Sequence, residues 1–93
     1  MNDDAFSKLV KKLVSDYSNG NNTPANWIRP QDVRTVWQCK TLQNSKAIAP
    51  TVLPDHRLYE VTYDGDKRCV YLDAYTKVEN KKIILGTNNE LLN

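Results

Sequence analysis

The chain has 93 residues, 40% hydrophobic and 26% charged, with a net charge of +2 and a pI near 8.6. That length fits one small domain and excludes a second, and the composition excludes a chain too polar to fold. The mild basicity falls short of the clustered cationic stripe of a dedicated nucleic-acid domain.

Apolar runs reach about three residues, as at Ile83–Ile84–Leu85, against the ~20 of a bilayer span, so no membrane segment is expected. The N-terminal stretch carries Asp3, Asp4, Lys8, Lys11 and Lys12 without the apolar core of a secretory signal, which predicts a cytoplasmic protein. Cys39 and Cys69 form neither a C-x-x-C pair nor a dense disulfide pattern, and are expected to be reduced thiols that act as small packing groups.

In chain order, the first element is a helix over residues 3–17. Phe6, Leu9, Val10, Leu13, Val14 and Tyr17 recur with the 3.6-residue period of one helix face. Asp3 or Asp4 is the expected cap, and Gly20 lies just past the end. Lys8, Lys11 and Lys12 fall on the opposite, solvated face. Residues 18–30 have the Asn, Gly and Pro content of a loop, in which Trp27 and Ile28 are expected to form a lid over the core or a binding surface.

From residue 33 the chemistry is that of strands: VRTVWQCKTL, KAIAPTVL, RLYEVTY, RCVYLD and KIIL, broken at QNS, PDH and DGDK. Pro50 lacks a ladder N–H, which places the second strand at an edge. Gly65–Asp66 as a two-residue type II′ loop would pair Tyr59, Val61 and Tyr63 with Leu72, Val70 and Arg68. Val33, Trp37 and Cys39 would share one strand face, which is a core face unless Trp37 serves binding. Residues 73–80 suit a helical turn or loop, 82–85 a short last strand, and 87–93 a tail in which Leu91 and Leu92 can dock or serve an oligomer. The expectation is a single α+β domain over residues 1–93, with the N-terminal amphipathic helix packed on a four- to five-stranded antiparallel β-meander.

Catalysis needs converging groups, and none is visible. His56 stands alone in a Pro54–Asp55–His56–Arg57 turn without a nucleophile motif. A zinc site drawn from Cys39, Cys69 and His56 would lack close ligand pairs. Asp64–Gly65–Asp66 is a hairpin turn rather than a calcium loop, since the remaining ligand positions are missing. No enzymatic activity, metal or cofactor is therefore expected. The candidate binding residues are Arg34, Trp37, Arg68 and Tyr71, with Trp27 as an alternative anchor: arginine grips phosphate or carboxylate bidentately, and aromatic rings stack or fill pockets.

The segments VWQCKTLQNSKA (36–47) and YEVTYDGDKRCVYLDAYTKVENKKI (59–83) resemble a small family of uncharacterised phage and prophage proteins of Gram-positive bacteria. The shared pattern is W-x-C-K-T-L-Q-N-x-K-A followed by Y-E-x-T-Y-x-G-D-K and L-D-A-Y. The resemblance implies a phage-encoded accessory protein in the host bacterial cytoplasm, a non-enzymatic binder that inhibits a host defence system. Its partner would be a host protein or a small nucleotide signal, the latter enclosed between subunits of a homo-oligomer. The alternative is a nucleic-acid-binding accessory factor of phage replication or transcription. The family is of unknown function and supplies no site residues.

Overall fold

The computed structural model describes residues 1–51, 53 and 57–92. His56 and its neighbours Pro54 and Asp55 lie outside the described residues, so the reading of that turn does not bear on the fold. Helix α1 runs over Asp3–Gly20, and four strands follow: β1 Trp37–Thr41, β2 Asn44–Pro50, β3 Leu58–Asp64 and β4 Cys69–Tyr75. All neighbours are antiparallel and the sheet order is β1-β2-β3-β4, the expected meander with one helix laid on it.

The helix is capped one residue earlier than expected. The Asn2 side chain, not Asp3 or Asp4, accepts the Ala5 N–H at 2.8 Å, while both aspartates sit in the first turn beside the positive end of the helix dipole. Gly20 is inside the last turn rather than beyond it. Phe6, Val10 and Val14 are buried, as the period requires, but Leu9 and Leu13 are only partly so and Tyr17 is exposed. Ser15 and Ser18 are buried instead, so the inward face is centred on the line from Phe6 to Ser18.

Period-2 alternation decides what the helix meets. β2 turns Ser45, Ala47 and Ala49 inward and β3 turns in Tyr59 and Val61, all buried. The two alanines leave room for the helix backbone to come close, and larger groups flank them. Val33 completes this core, but from the link that follows a 3₁₀ turn at Pro30–Asp32, not from a strand. Ile28 packs against the core as a lid, held by Asn19, whose amide accepts the Ile28 N–H at 2.8 Å and donates to its carbonyl at 2.9 Å. Trp27 does not share that role: it is exposed, with its Nε1–H donating to the Asn22 carbonyl. Gln38 and Lys40 on β1 point to the helix side, where they donate to the carbonyls of Asp3 and Met1 and tie the helix start to the sheet edge.

Several strand expectations need correction. β2 is an interior strand despite Pro50. The Thr51 N–H donates to Arg57 and the Val36 N–H to the Ile48 carbonyl, so alternate residues address β3 and β1. Pro50 faces the β1 side at a level where β1 has not yet begun, and no ladder bond is lost. The first turn is the two-residue loop Leu42–Gln43 between Thr41 and Asn44, not QNS. The second hairpin has a longer loop than expected: Asp64 pairs with Cys69, so Tyr59, Val61 and Tyr63 face Ala74, Leu72 and Val70. The Asp64 side chain accepts the N–H groups of Asp66 and Lys67, and Arg68 takes a φ of 53°, which closes a four-residue loop without a positive φ at Gly65. Residues 82–85 add no fifth strand; Leu85 makes a single antiparallel bridge to Leu91.

Candidate functional site

The helix covers one side of the sheet, and no other described residue covers the opposite side. Antiparallel register assembles that open face in rows: Trp37, Ile48, Glu60 and Asp73 stand across the four strands in one row, and Cys39, Lys46, Thr62 and Tyr71 in the next. Leu58 opposite Tyr75 continues the surface at the end away from the hairpin loops. Trp37, Leu58, Tyr71 and Tyr75 are between 40% and 50% exposed, so Trp37 stands on the surface and not in the core. Cys39, expected as a small packing group, is exposed on the same face. Trp37 and Cys39 belong here because β1 starts late, at Trp37, so Val33 does not share their strand.

The centre of the face is an ion pair, Lys46 Nζ to Glu60 Oε1 at 2.9 Å. The hydrogen bond and charge of Glu60, with smaller contributions from Tyr75 and Asp73, hold the Lys46 ammonium above its ordinary pKa. Lys46 is thereby neutralised, and Asp73 adds a further carboxylate beside Glu60 in the neighbouring row. The surface is aromatic and aliphatic with a balanced or slightly acidic centre. A shallow groove of about 250 Å³ runs along it between Trp37, Cys39, Thr41, Lys46 and Thr62. A second groove of about 260 Å³ lies at its end, lined by Pro50, Thr51, Leu53, Arg57, Leu58 and Lys77.

Only two of the five candidate residues meet on this face. Trp37 and Tyr71 share it but stand on opposite edge strands one row apart, roughly 16 Å from each other by strand spacing, too far to sandwich one planar ligand. Arg34 lies in the link before β1 and Arg68 in the β3–β4 loop, at opposite corners of the sheet, both exposed. Trp27 belongs to the loop after α1. Leu58, Tyr75 and the Lys46–Glu60 pair were missed, although alternation from Trp37 and Tyr71 points to them once β4 is allowed to reach Tyr75. The cysteines occupy β1 and β4, three strand spacings apart and one row displaced, roughly 16 Å from each other, beyond any disulfide, and both are free. The Cys69 side chain, two residues away on the same face, pushes the Tyr71 phenol up from its ordinary pKa by hydrogen bonding and then by its charge, with desolvation and Asp64 adding less.

A single helix on a four-stranded meander, with the far face of the sheet uncovered and aromatic, defines an α+β domain built around an open sheet surface. The chain belongs to the family of unknown function DUF6275, whose model matches residues 7–85. The match takes in the helix and the loop after it as well as the sheet. Comparison with curated proteins and with solved structures gave no significant match. No helix among the described residues is long and apolar enough to cross a membrane.

Proposed function

We propose that this chain is a non-enzymatic binding module that holds a protein partner on the open face of its sheet. The observation that carries the reading is the chemistry of that face: Trp37, Tyr71, Tyr75 and Leu58 half exposed around a self-neutralised Lys46–Glu60 pair. Trp and Tyr anchors dominate protein interfaces, and a central charge pair with its own partner asks nothing of the ligand. A polyanion would meet Glu60 and Asp73 where it needs cations, and Arg34 and Arg68 stand too far apart to grip one phosphate cluster. Nucleic acid and a nucleotide signal are therefore the weaker ligands. The resemblance of segments 36–47 and 59–83 to phage proteins supplies the setting: a phage accessory protein in the host cytoplasm, which blocks a host defence protein by stoichiometric binding.

Native mass spectrometry of the protein isolated with its partner tests the class of ligand, and calorimetry on single variants tests the face. Trp37→Ala and Tyr75→Ala should each weaken partner binding at least tenfold, about 1.4 kcal/mol, with the fold intact by circular dichroism. Arg34→Ala and Arg68→Ala should leave it nearly unchanged. A retained nucleotide mass, or binding lost with the arginines and kept without Trp37, would overturn the reading.

A further inference from the structure

The two edges of the sheet differ. β1 is short, five residues, and its outward-turned residues Gln38 and Lys40 donate their side chains to the carbonyls of Asp3 and Met1, which ties the start of the chain to that edge. A short edge strand carrying a lysine is one of the ways sheets avoid pairing with other chains. β4 has neither protection: it runs for seven residues, CVYLDAY, in unbroken register with β3 and without Lys, Pro or Gly.

The ladder fixes which groups of β4 are free. The Thr51 N–H donates to the Arg57 carbonyl, so Tyr59, Val61 and Tyr63 also turn their main-chain groups to β2, while Leu58, Glu60, Thr62 and Asp64 turn theirs to β4. Their partners Tyr75, Asp73, Tyr71 and Cys69 are thereby bonded, and the N–H and C=O groups of Val70, Leu72 and Ala74 point outward. No described residue bonds to them.

Side-chain chemistry defines the strand that this edge accepts. On the open face β4 shows Tyr71, Asp73 and Tyr75 in succession, the tyrosines 48% and 50% exposed. Glu60 is matched by Lys46, whereas Asp73 has no ion-pair partner among the described residues. An added antiparallel strand sets one residue opposite Asp73 as a non-hydrogen-bonded pair, the closest approach in such a ladder, about 4.5 Å between Cα atoms, with Tyr71 and Tyr75 diagonal to it at about 7–8 Å. A Lys or Arg there meets a carboxylate and reaches two aromatic rings. Its neighbours in the added strand fall on the helix side beside Val70, Leu72 and Ala74, which suits β-branched apolar side chains.

We propose that the β4 edge takes up an extended segment of the partner protein as a fifth, antiparallel strand, with a Lys or Arg of that segment opposite Asp73 between Tyr71 and Tyr75. Such main-chain pairing supplies affinity, and the alternate side chains supply specificity. The added strand extends the partner-holding face proposed above and rests on that reading. A second copy is the poorer occupant, because β4 contains no cation to set against Asp73.

A capped synthetic peptide, Thr-Val-Lys-Val-Thr-Val-Thr, and its counterpart with Glu in place of Lys test this by NMR on the isotope-labelled full chain, at peptide concentrations up to about 2 mM. The Lys peptide should shift the amides of Val70, Leu72 and Ala74 and slow their hydrogen exchange about fivefold, and leave those of Gln38 and Lys40 unchanged. It should bind about tenfold more tightly than the Glu peptide, and Asp73→Lys should reverse that order. Ala74→Pro removes an outward N–H at an exposed position that the β3 ladder does not use, so it should abolish binding with the circular dichroism spectrum unchanged. No shift at β4 with the Lys peptide, or equal affinity of the two peptides, would overturn the proposal. So would the same slowing of exchange on raising protein concentration alone, since the occupant would then be a second copy. Against the natural partner, binding lost with Trp37→Ala and kept with Ala74→Pro would sink the added strand and leave the sheet face standing. Binding lost with Ala74→Pro and kept with Trp37→Ala would retain the strand and sink the sheet face.

Discussion

Gln43 and Asn44 in the first hairpin loop and Gly65 and Asp66 in the second hold the two loops together, and Leu42 and Gly65 make opposite use of the backbone. Leu42 adopts a φ of 56°, the left-handed region that L side chains avoid, and is 83% exposed. Gly65 lies against Gln43, whose backbone carbonyl occupies the space a Cβ would need, and the Gly65 N–H donates to the Asn44 side chain at 3.0 Å. The Gln43 amide in turn donates to Asp66 at 2.7 Å. Gly65→Ala should therefore destabilise by about 1–3 kcal/mol, because rigid backbone must give way. Leu42→Asn should stabilise by about 0.5–1 kcal/mol, since asparagine tolerates the left-handed conformation better and no packing is lost. Urea melts of the two variants test both signs. Tyr71 offers a titration: its raised pKa means the neutral phenol is favoured in the folded chain. The contribution to stability is thus present below the ordinary tyrosine pKa of about 10 and is lost as pH rises through the higher folded value. Cys69→Ala should bring the Tyr71 ultraviolet titration back down toward the ordinary range.

The elements were legible where a period had an apolar face to organise it. The α1 stripe was visible from Phe6 to Val14, but the rotation that buries Ser15 and Ser18 and frees Tyr17 was not, because serines give no hydrophobic signal. Ser15 is accommodated by donating its hydroxyl to the Lys12 carbonyl at 3.0 Å, a bond internal to the helix. The second hairpin shows why faces can be right when the register is wrong. The true pairing differs from a two-residue loop by two positions, an even number, so every side chain keeps its side of the sheet. The KIIL run has strand chemistry but builds no sheet strand, because composition cannot specify an edge to pair with. The open aromatic face was half legible: Trp37 and Tyr71 were singled out for their residue types, while Leu58 and Tyr75 required the strand ends. The helix assignment carries a graded prediction. Phe6→Ala should cost about 3–5 kcal/mol and Leu13→Ala clearly less, since Phe6 is fully buried and Leu13 is only partly so. Comparable losses at the two positions in denaturant would contradict the observed rotation.

At the scale of the whole molecule, the core is small for the chain it must hold. Among the described residues its eight buried apolar side chains include two alanines, and residues 76–92 add none to it. The seam between α1 and the inward face of β2 and β3 therefore carries most of the stability of the chain. Val10→Ala, at a fully buried position in that seam, should cost about 1–3 kcal/mol, whereas Val78→Ala, at a position 95% exposed, should cost little in the same urea melts. Equal losses at the two positions would mean that the segment after Tyr75 contributes to the core after all.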